Sequence, residues 1–191
     1  MNQLPELHTE RLLLAIPGAS AAKAQAAYYA RNREHLREWE PPIDDRYCDP
    51  AFHEPILDNN VLLAHRGQAF RFLIFERETG LTGDVLGHIN LHNVTRGICQ
   101  WAILGYSVTQ EREGTGLITE AGRALIRFAF EDLTLHRLDC NYQPHNTRSA
   151  AVARKLGFEI NGMAKEYLFL NGAWRDHVLT SLINPNRVTP A

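Results

Sequence analysis

Residues 105–121 read Gly-Tyr-Ser-Val-Thr-Gln-Glu-Arg-Glu-Gly-Thr-Gly-Leu-Ile-Thr-Glu-Ala, and this stretch decides the architecture. Its first residues close a run from Cys99 to Val108 rich in branched and aromatic side chains, which is strand chemistry. From Gly116 to Leu133 the apolar residues Leu117, Ala121, Ala124, Leu125 and Phe128 fall on one face of a helix. The join between the two is Glu111-Arg112-Glu113-Gly114-Thr115-Gly116. Gly114 and Gly116 permit unusual dihedrals and close approach, and the helix that follows presents unpaired amides with a partial positive charge. A phosphate is the expected guest.

Three phosphate-binding readings compete at this join. A P-loop needs Lys and then Ser or Thr after its last glycine, and here Leu117 and Ile118 follow Gly116. A dinucleotide fingerprint needs a third glycine at position 119, which is Thr119, and a parallel βαβ unit, whereas the preceding strands read as antiparallel. What is left is a loop that binds a pyrophosphate through backbone amides alone. From the loop by itself, a glycine-containing turn without function fits equally well.

Phe70–Phe75 and Val85–Leu91 join Cys99–Val108 as three consecutive antiparallel strands, separated by Gly80, Gly83 and Gly97. Upstream, Leu12–Ile16 reads as a short strand ending at Pro17-Gly18, and Ser20–Leu36 as an Ala-rich helix capped by Ser20. From Trp39 to Pro55 four prolines interrupt the pattern, and a second helix follows up to His65. Downstream, His136–Tyr142 predicts a strand and Asn146–Leu156 a helix stopping at Gly157. Tyr167–Leu170 and Ala173–Thr180 flank Asn171-Gly172, a tight type I′ hairpin turn. The sheet is therefore mixed, an antiparallel half followed by one strand-helix-strand crossover.

The 191 residues, 45% hydrophobic and 22% charged, suffice for one sizeable core, so a single domain over 1–191 is expected, with 184–191 a loose tail. No apolar run is long enough to span a bilayer, and the start MNQLPELHTERLLL lacks the form of a leader. Cys48, Cys99 and Cys140 are too few and scattered for a disulfide framework. A cytoplasmic protein without a membrane partner is the expectation. The formal net charge of −2 offers no global attraction for nucleic acid, and no direct sequence-specific nucleic-acid binding is expected.

Further strings carry a resemblance. Gly105–Val108, Gly114–Ala121, Asn146-Thr147-Arg148-Ser149 and Leu156-Gly157-Phe158 resemble the motif order of the GNAT superfamily over the last two thirds of the chain. Asn141–Asn146 with Arg148-Ser149, and Trp174–Thr180, are similar to its RimJ/RimL-like branch, whose RimJ members acetylate the N-terminal alanine of a ribosomal small-subunit protein. The resemblance implies an α+β GNAT-like fold, with a central, mostly antiparallel mixed sheet flanked by helices and a C-terminal β-hairpin. It implies acetyl-CoA as co-substrate, without a metal, and as partner the N-terminal tail of a ribosomal protein, or the pre-ribosomal small subunit. Two departures stand out: Glu111 occupies a position usually Arg or Gln, and Thr115 lies between the glycines where Lys or Arg is frequent.

By the same resemblance, the cofactor would contact Tyr106, Ser107, Val108, Glu113, Gly114, Thr115, Gly116, Leu117, Ile118, Thr119, Asn146 and Ser149. A backbone N–H of the Tyr106–Val108 strand, that of Val108, would bind the thioester oxygen, and Ser149 or Tyr142 would supply the thiolate's proton. Both proton donors have structural alternatives, Ser149 as a helix N-terminal residue and Tyr142 as core. Candidate bases are Glu120, His88 and His92, with helix-dipole stabilisation the plain alternative for Glu120. Trp39 and His88 are the candidate substrate contacts. From Glu34 to Asp58, eight acids against two arginines give a net charge of −6, either an attractor for basic ribosomal tails or a solvated face. The other functions compatible with the sequence are acetylation of a small amine or antibiotic, and a non-catalytic role in ribosome assembly.

Overall fold

The computed structural model describes residues 4–186. Eight strands form one sheet in the order β1-β2-β3-β4-β5-β6-β8-β7. The strands are β1 (Leu7–His8), β2 (Leu12–Ala15), β3 (Phe70–Glu76), β4 (Gly87–Thr95), β5 (Trp101–Val108), β6 (Arg137–Asp139), β7 (Glu159–Leu170) and β8 (Ala173–Ile183). Every neighbouring pair is antiparallel except β5 and β6, which run parallel. That one parallel pair is the crossover expected from the sequence, made through α3 (Leu117–Arg127).

Alternation along the strands divides the core. Leu12, Leu14, Phe70, Phe72 and Ile74 point to the face covered by α3 and α4 (Thr147–Lys155), while Leu13, Ala15, Leu73 and Phe75 point to the face covered by α1 (Ala22–Leu36) and α2 (Pro50–His65). β2 and β3 are thus buried on both faces, which is why their sequences are nearly continuous apolar runs.

Several boundaries differ from the sequence expectation. Ser20 does not cap α1: it lies within a 3-10 turn, Gly18–Ala21, and its hydroxyl donates to the Pro17 carbonyl at 2.7 Å. α2 begins at Pro50 behind an Asp49 cap and carries Pro55 inside it. The helix read through to Leu133 changes at Phe128 into a wide π turn, Phe128–Asp132. The 136–142 strand shortens to β6, and β1 and the first half of β7 have no counterpart in the sequence expectation. Asn171 and Gly172 have φ of 49° and 75°, the left-handed pair that a type I′ turn requires. Asn184, expected in a loose tail, is buried and donates to the carbonyls of Leu135 and Phe130, at 2.9 and 3.3 Å. Residues 187–191 of that tail lie outside the described residues.

Candidate active site

The site begins where two parallel strands part. β6 pairs β5 only from Trp101 to Ile103, whereas β4 stays paired with β5 as far as Val108. The Thr109 N–H donates to the Leu86 carbonyl at 2.8 Å, on the β4 side. By alternation, the N–H groups of Tyr106 and Val108 point the other way, into the gap. There a cleft of about 260 Å³ opens, lined by Tyr106, Ser107 and Val108, by 112–114 and 116–119, by α4 from Asn146 to Lys155, and by Trp39 and Glu40.

One end of this cleft offers open backbone amides. Gly114 and Gly116 take φ of 71° and 81°, and a Cβ added at Gly114 would meet nothing within 4 Å, so the loop leaves open space. Gly116 stands at the cap position of α3 without a side-chain cap, which leaves the first-turn amides from Leu117 onward free of a side-chain acceptor. Thr115 is the exception among the expected contacts, because its hydroxyl is turned back to donate to the Arg112 carbonyl at 2.7 Å. Glu113 faces the cleft, but its carboxylate pairs with Arg148 of α4 and lies 3.4 Å from His35 Nε2 of α1.

The other end holds hydroxyls. Asn146 caps α4, its side chain accepting the Ser149 N–H at 2.9 Å, so the Ser149 backbone is satisfied and its side chain lines the cleft. Beside it, the Tyr106 hydroxyl is buried next to Ser149, with no partner at full hydrogen-bond geometry among the described residues. Burial raises its pKa, with the neighbouring Cys140 adding to this and Ser149 opposing it. Tyr142 is set back from the cleft: its backbone bridges Val178 and its ring packs on the core.

Glu120 must be corrected as a base. It points away from the cleft, and its carboxylate accepts from the Thr9 hydroxyl at 2.5 Å, the Arg11 N–H at 2.9 Å and the Arg11 guanidinium at 2.6 Å. Burial would raise its pKa, but these donors outweigh burial and hold it below the usual carboxylate range. His88 is corrected too as a substrate contact. It is buried under α1, with Nε2 3.0 Å from Gln25 Nε2 and Nδ1 3.3 Å from Ser107 Oγ. Burial above all, with His53 and Arg71 adding, pushes its pKa down to about 4, so it is neutral near pH 7. His92 is likewise lowered by burial and then Arg71. Trp39 does line the cleft, its ring 5.4 Å from that of His145.

Most acids of the 34–58 segment are already engaged. Asp44 pairs with Arg46, Asp45 with Arg33, Glu34 with Arg37 and Glu38 with His145, while Asp49 caps α2 and Asp58 accepts the Ala19 N–H. Glu40 is different. It reaches the cleft, lies against the Ser107 hydroxyl, and has no cation partner among the described residues. In the sequence it is one acid among the eight of that segment; its position just before Pro41-Pro42, where the chain is stiff, is the signal that sets it apart.

Comparison with known proteins identifies the family. Residues 11–159 match the family model described as "Acetyltransferase (GNAT) domain". The chain is 39% identical, over 94% of its length and 91% of the relative's, to the [ribosomal protein uS5]-alanine N-acetyltransferase of Escherichia coli K12. Among solved structures it is similar to the ribosomal-protein-S5-alanine acetyltransferase of Vibrio fischeri, with TM-score 0.89 and 33% identity over 97% of this chain and 100% of that one. It is also similar to Mycobacterium smegmatis RimJ in complex with CoA-disulfide, with TM-score 0.85 and 27% identity over 98% and 90% of the two chains. No described helix is long and apolar enough to cross a membrane.

Proposed function

The chain belongs to the GNAT family of N-acetyltransferases, and from that premise we propose that it moves the acetyl group of acetyl-CoA to the N-terminal α-amine of alanine on ribosomal protein uS5. The near full-length similarity to the E. coli uS5-alanine enzyme is the observation that carries this acceptor. The glycine loop and the free first turn of α3 suit a pyrophosphate, since both offer N–H donors in open space. Acetyl-CoA supplies an activated acyl carbon and a thiolate leaving group.

The residues of the chain do the rest. The Val108 and Tyr106 N–H groups, freed by the parting of β5 from β6, are placed to donate to the thioester oxygen as negative charge develops there. Ser149 is the proton donor to the departing sulfur, and the adjoining Tyr106 hydroxyl, buried beside it and pushed above its ordinary pKa, stays protonated to support it. Arg148, paired with Glu113, stands beside the proposed pyrophosphate position as a cation that the ligand would have to share.

Purified protein, acetyl-CoA and peptides test this directly. A peptide copying the alanine-starting end of uS5 should gain one acetyl group, at a kcat/KM at least about tenfold above the same peptide starting with serine and above polyamines. Turnover of polyamines alone would overturn the acceptor.

A further inference from the structure

α1 ends at Leu36, and the chain then turns back over the cleft: the N–H groups of Trp39 and Glu40 both donate to the Leu36 carbonyl, at 2.9 and 3.0 Å. The turn is fastened from the opposite wall, where His145 Nε2 lies 3.1 Å from the Glu38 carboxylate and Gln143 donates to the Glu38 carbonyl at 3.5 Å. Pro41 and Pro42 stiffen the exit. Glu40 is thereby held half-buried beside Ser107, one residue from the Val108 and Tyr106 amides on which the thioester would lie.

Behind Ser107 stands a buried hydrogen-bonded chain. With the Gln25 amide donating to His88 Nε2 at 3.0 Å, the His88 proton sits on Nδ1 and faces Ser107 Oγ at 3.3 Å. The Tyr28 hydroxyl approaches the same Oγ at 3.1 Å. Ser107 thus accepts from His88, and its own proton is left for its two oxygen neighbours, the Tyr28 hydroxyl and the Glu40 carboxylate. The neutral His88 keeps a second positive charge out of this chain. A carboxylate that lines the cleft beside this chain, with no cation partner among the described residues, suits a primary ammonium as its guest.

We propose that Glu40 is a catalytic residue, receiving the acceptor's α-ammonium in the cleft and removing its first proton. The inference rests on the acetyl-transfer reading above. The N–H bond breaks as Glu40 takes the proton, leaving the lone pair on nitrogen. That pair forms the N–C bond to the thioester carbon, and the C–S bond breaks with its electrons going to sulfur. The second nitrogen proton passes through the Ser149 hydroxyl to the thiolate. Acetylated amine, CoA thiol and a protonated Glu40 result, and Glu40 returns its proton to water.

The proton transfer is well matched. An α-amino group has pKa about 7.7–8.0. Burial, opposed by the Ser107 hydrogen bond, lifts the Glu40 pKa above its ordinary value and so toward that of the amine. The groups facing it are Tyr28 and Tyr29 of α1, both raised chiefly by burial and then perturbed by Ser107 or by Glu40 itself, and Ser107 of β5. His35, Arg112, Glu113, Arg148 and Lys155 line the rest of the same cleft.

Glu40→Gln and Glu40→Asp, assayed with acetyl-CoA and an alanine-starting peptide from pH 6 to 9.5, test the proposal. For Glu40→Gln, kcat/KM should fall about 100-fold at pH 7, and the deficit should shrink above pH 9, where about nine-tenths of the amine is already neutral. Glu40→Asp should recover part of the loss, and the Kd for acetyl-CoA, measured by calorimetry, should stay within about twofold in both variants and so report an intact fold. A Glu40→Gln deficit under about threefold at pH 7, or one constant across the pH range, would overturn it. Wild-type protein that acetylates a polyamine but no peptide would instead defeat the uS5 reading; Glu40→Gln is then compared with wild type on that amine, where a pH-dependent deficit upholds the role of Glu40 and a small or constant one ends it.

Discussion

At Glu120 three donors converge on one carboxylate, joining α3 to the chain that leads into β2. A group whose folded pKa is depressed contributes stability above its unfolded pKa and loses it as pH falls through the folded value. Glu120 therefore stabilises at neutral pH and fails on acidification. Glu120→Gln should cost about 1–2 kcal/mol in urea unfolding at pH 7, little at pH 3, and leave kcat near wild type. A large fall in kcat with unchanged stability would return Glu120 to the chemistry. His88 follows the same sign, since a histidine buried neutral must charge below about pH 6.5. On the other side of the site, Ser149→Ala should lower kcat by about 10²-fold, while Tyr142→Phe, set back against the core, should change it by less than about threefold. Comparable losses from both, read by initial rates under saturating substrate, would move the proton donor away from Ser149. Whereas the cleft residues of β5 and Ser149 are reached only through the family resemblance, the glycine loop is legible in the sequence because its residues are contiguous. Glu120 and His88 are misplaced by it because residue type and helix or strand periodicity do not say which way a polar side chain finds its partners. Glu40 is hidden for the same reason: Pro41-Pro42 mark its position in the sequence, but only the fold brings it to the cleft while the seven other acids of the segment stay outside.

At the scale of elements, α3 and α4 meet at Gly122. A Cβ added there would stand 2.7 Å from Leu156 Cδ1, and Leu156 is itself buried. Gly122→Ala gains roughly 1 kcal/mol of helix propensity, yet overpacking costs about 1–3 kcal/mol, so a net loss of about 1 kcal/mol is expected. Because α4 carries Asn146, Arg148 and Ser149 into the cleft, the same variant should weaken acetyl-CoA binding, and Gly122→Ala with Leu156→Val should regain much of both. An unchanged melting temperature for the single variant would refute the close contact. Elements with a buried face are readable: the stripe of α3, the doubly buried β3, and the Asn171-Gly172 turn whose φ values leave little choice of residue. Those without one are not. The first half of β7 lies at the sheet's edge with almost every side chain exposed, and is broken by irregular pairing near Asn161 and again between Ala164 and Leu168. It offers no alternation to detect.

For the whole molecule, the cleft draws its walls from β5, the glycine loop, α3, α4 and the turn after α1, so a ligand there ties together both faces of the sheet. Acetyl-CoA at 100 times its Kd should add about 2.7 kcal/mol to folding stability. For a chain of this size that is a rise in Tm of roughly 5–11 °C. Glu113 tempers the effect. Its carboxylate lines the end of the cleft proposed for the pyrophosphate and occupies Arg148, so a pyrophosphate bound there would meet a negative charge and a cation already paired. Glu113→Gln removes that charge, keeps the side-chain volume and releases Arg148. The variant should bind CoA about three- to tenfold more tightly at low salt, the gain shrinking as ionic strength shortens the Debye length from about 30 Å at 0.01 M toward about 8 Å at 0.15 M. Without ligand its Tm should drop slightly, because His35 and Arg148 lose the partner that joins α1 to α4 across the cleft. Calorimetric titration with CoA beside thermal scans with and without ligand separates the two effects. Weaker CoA binding in Glu113→Gln would mean that the carboxylate orders the loop more than it repels the phosphates.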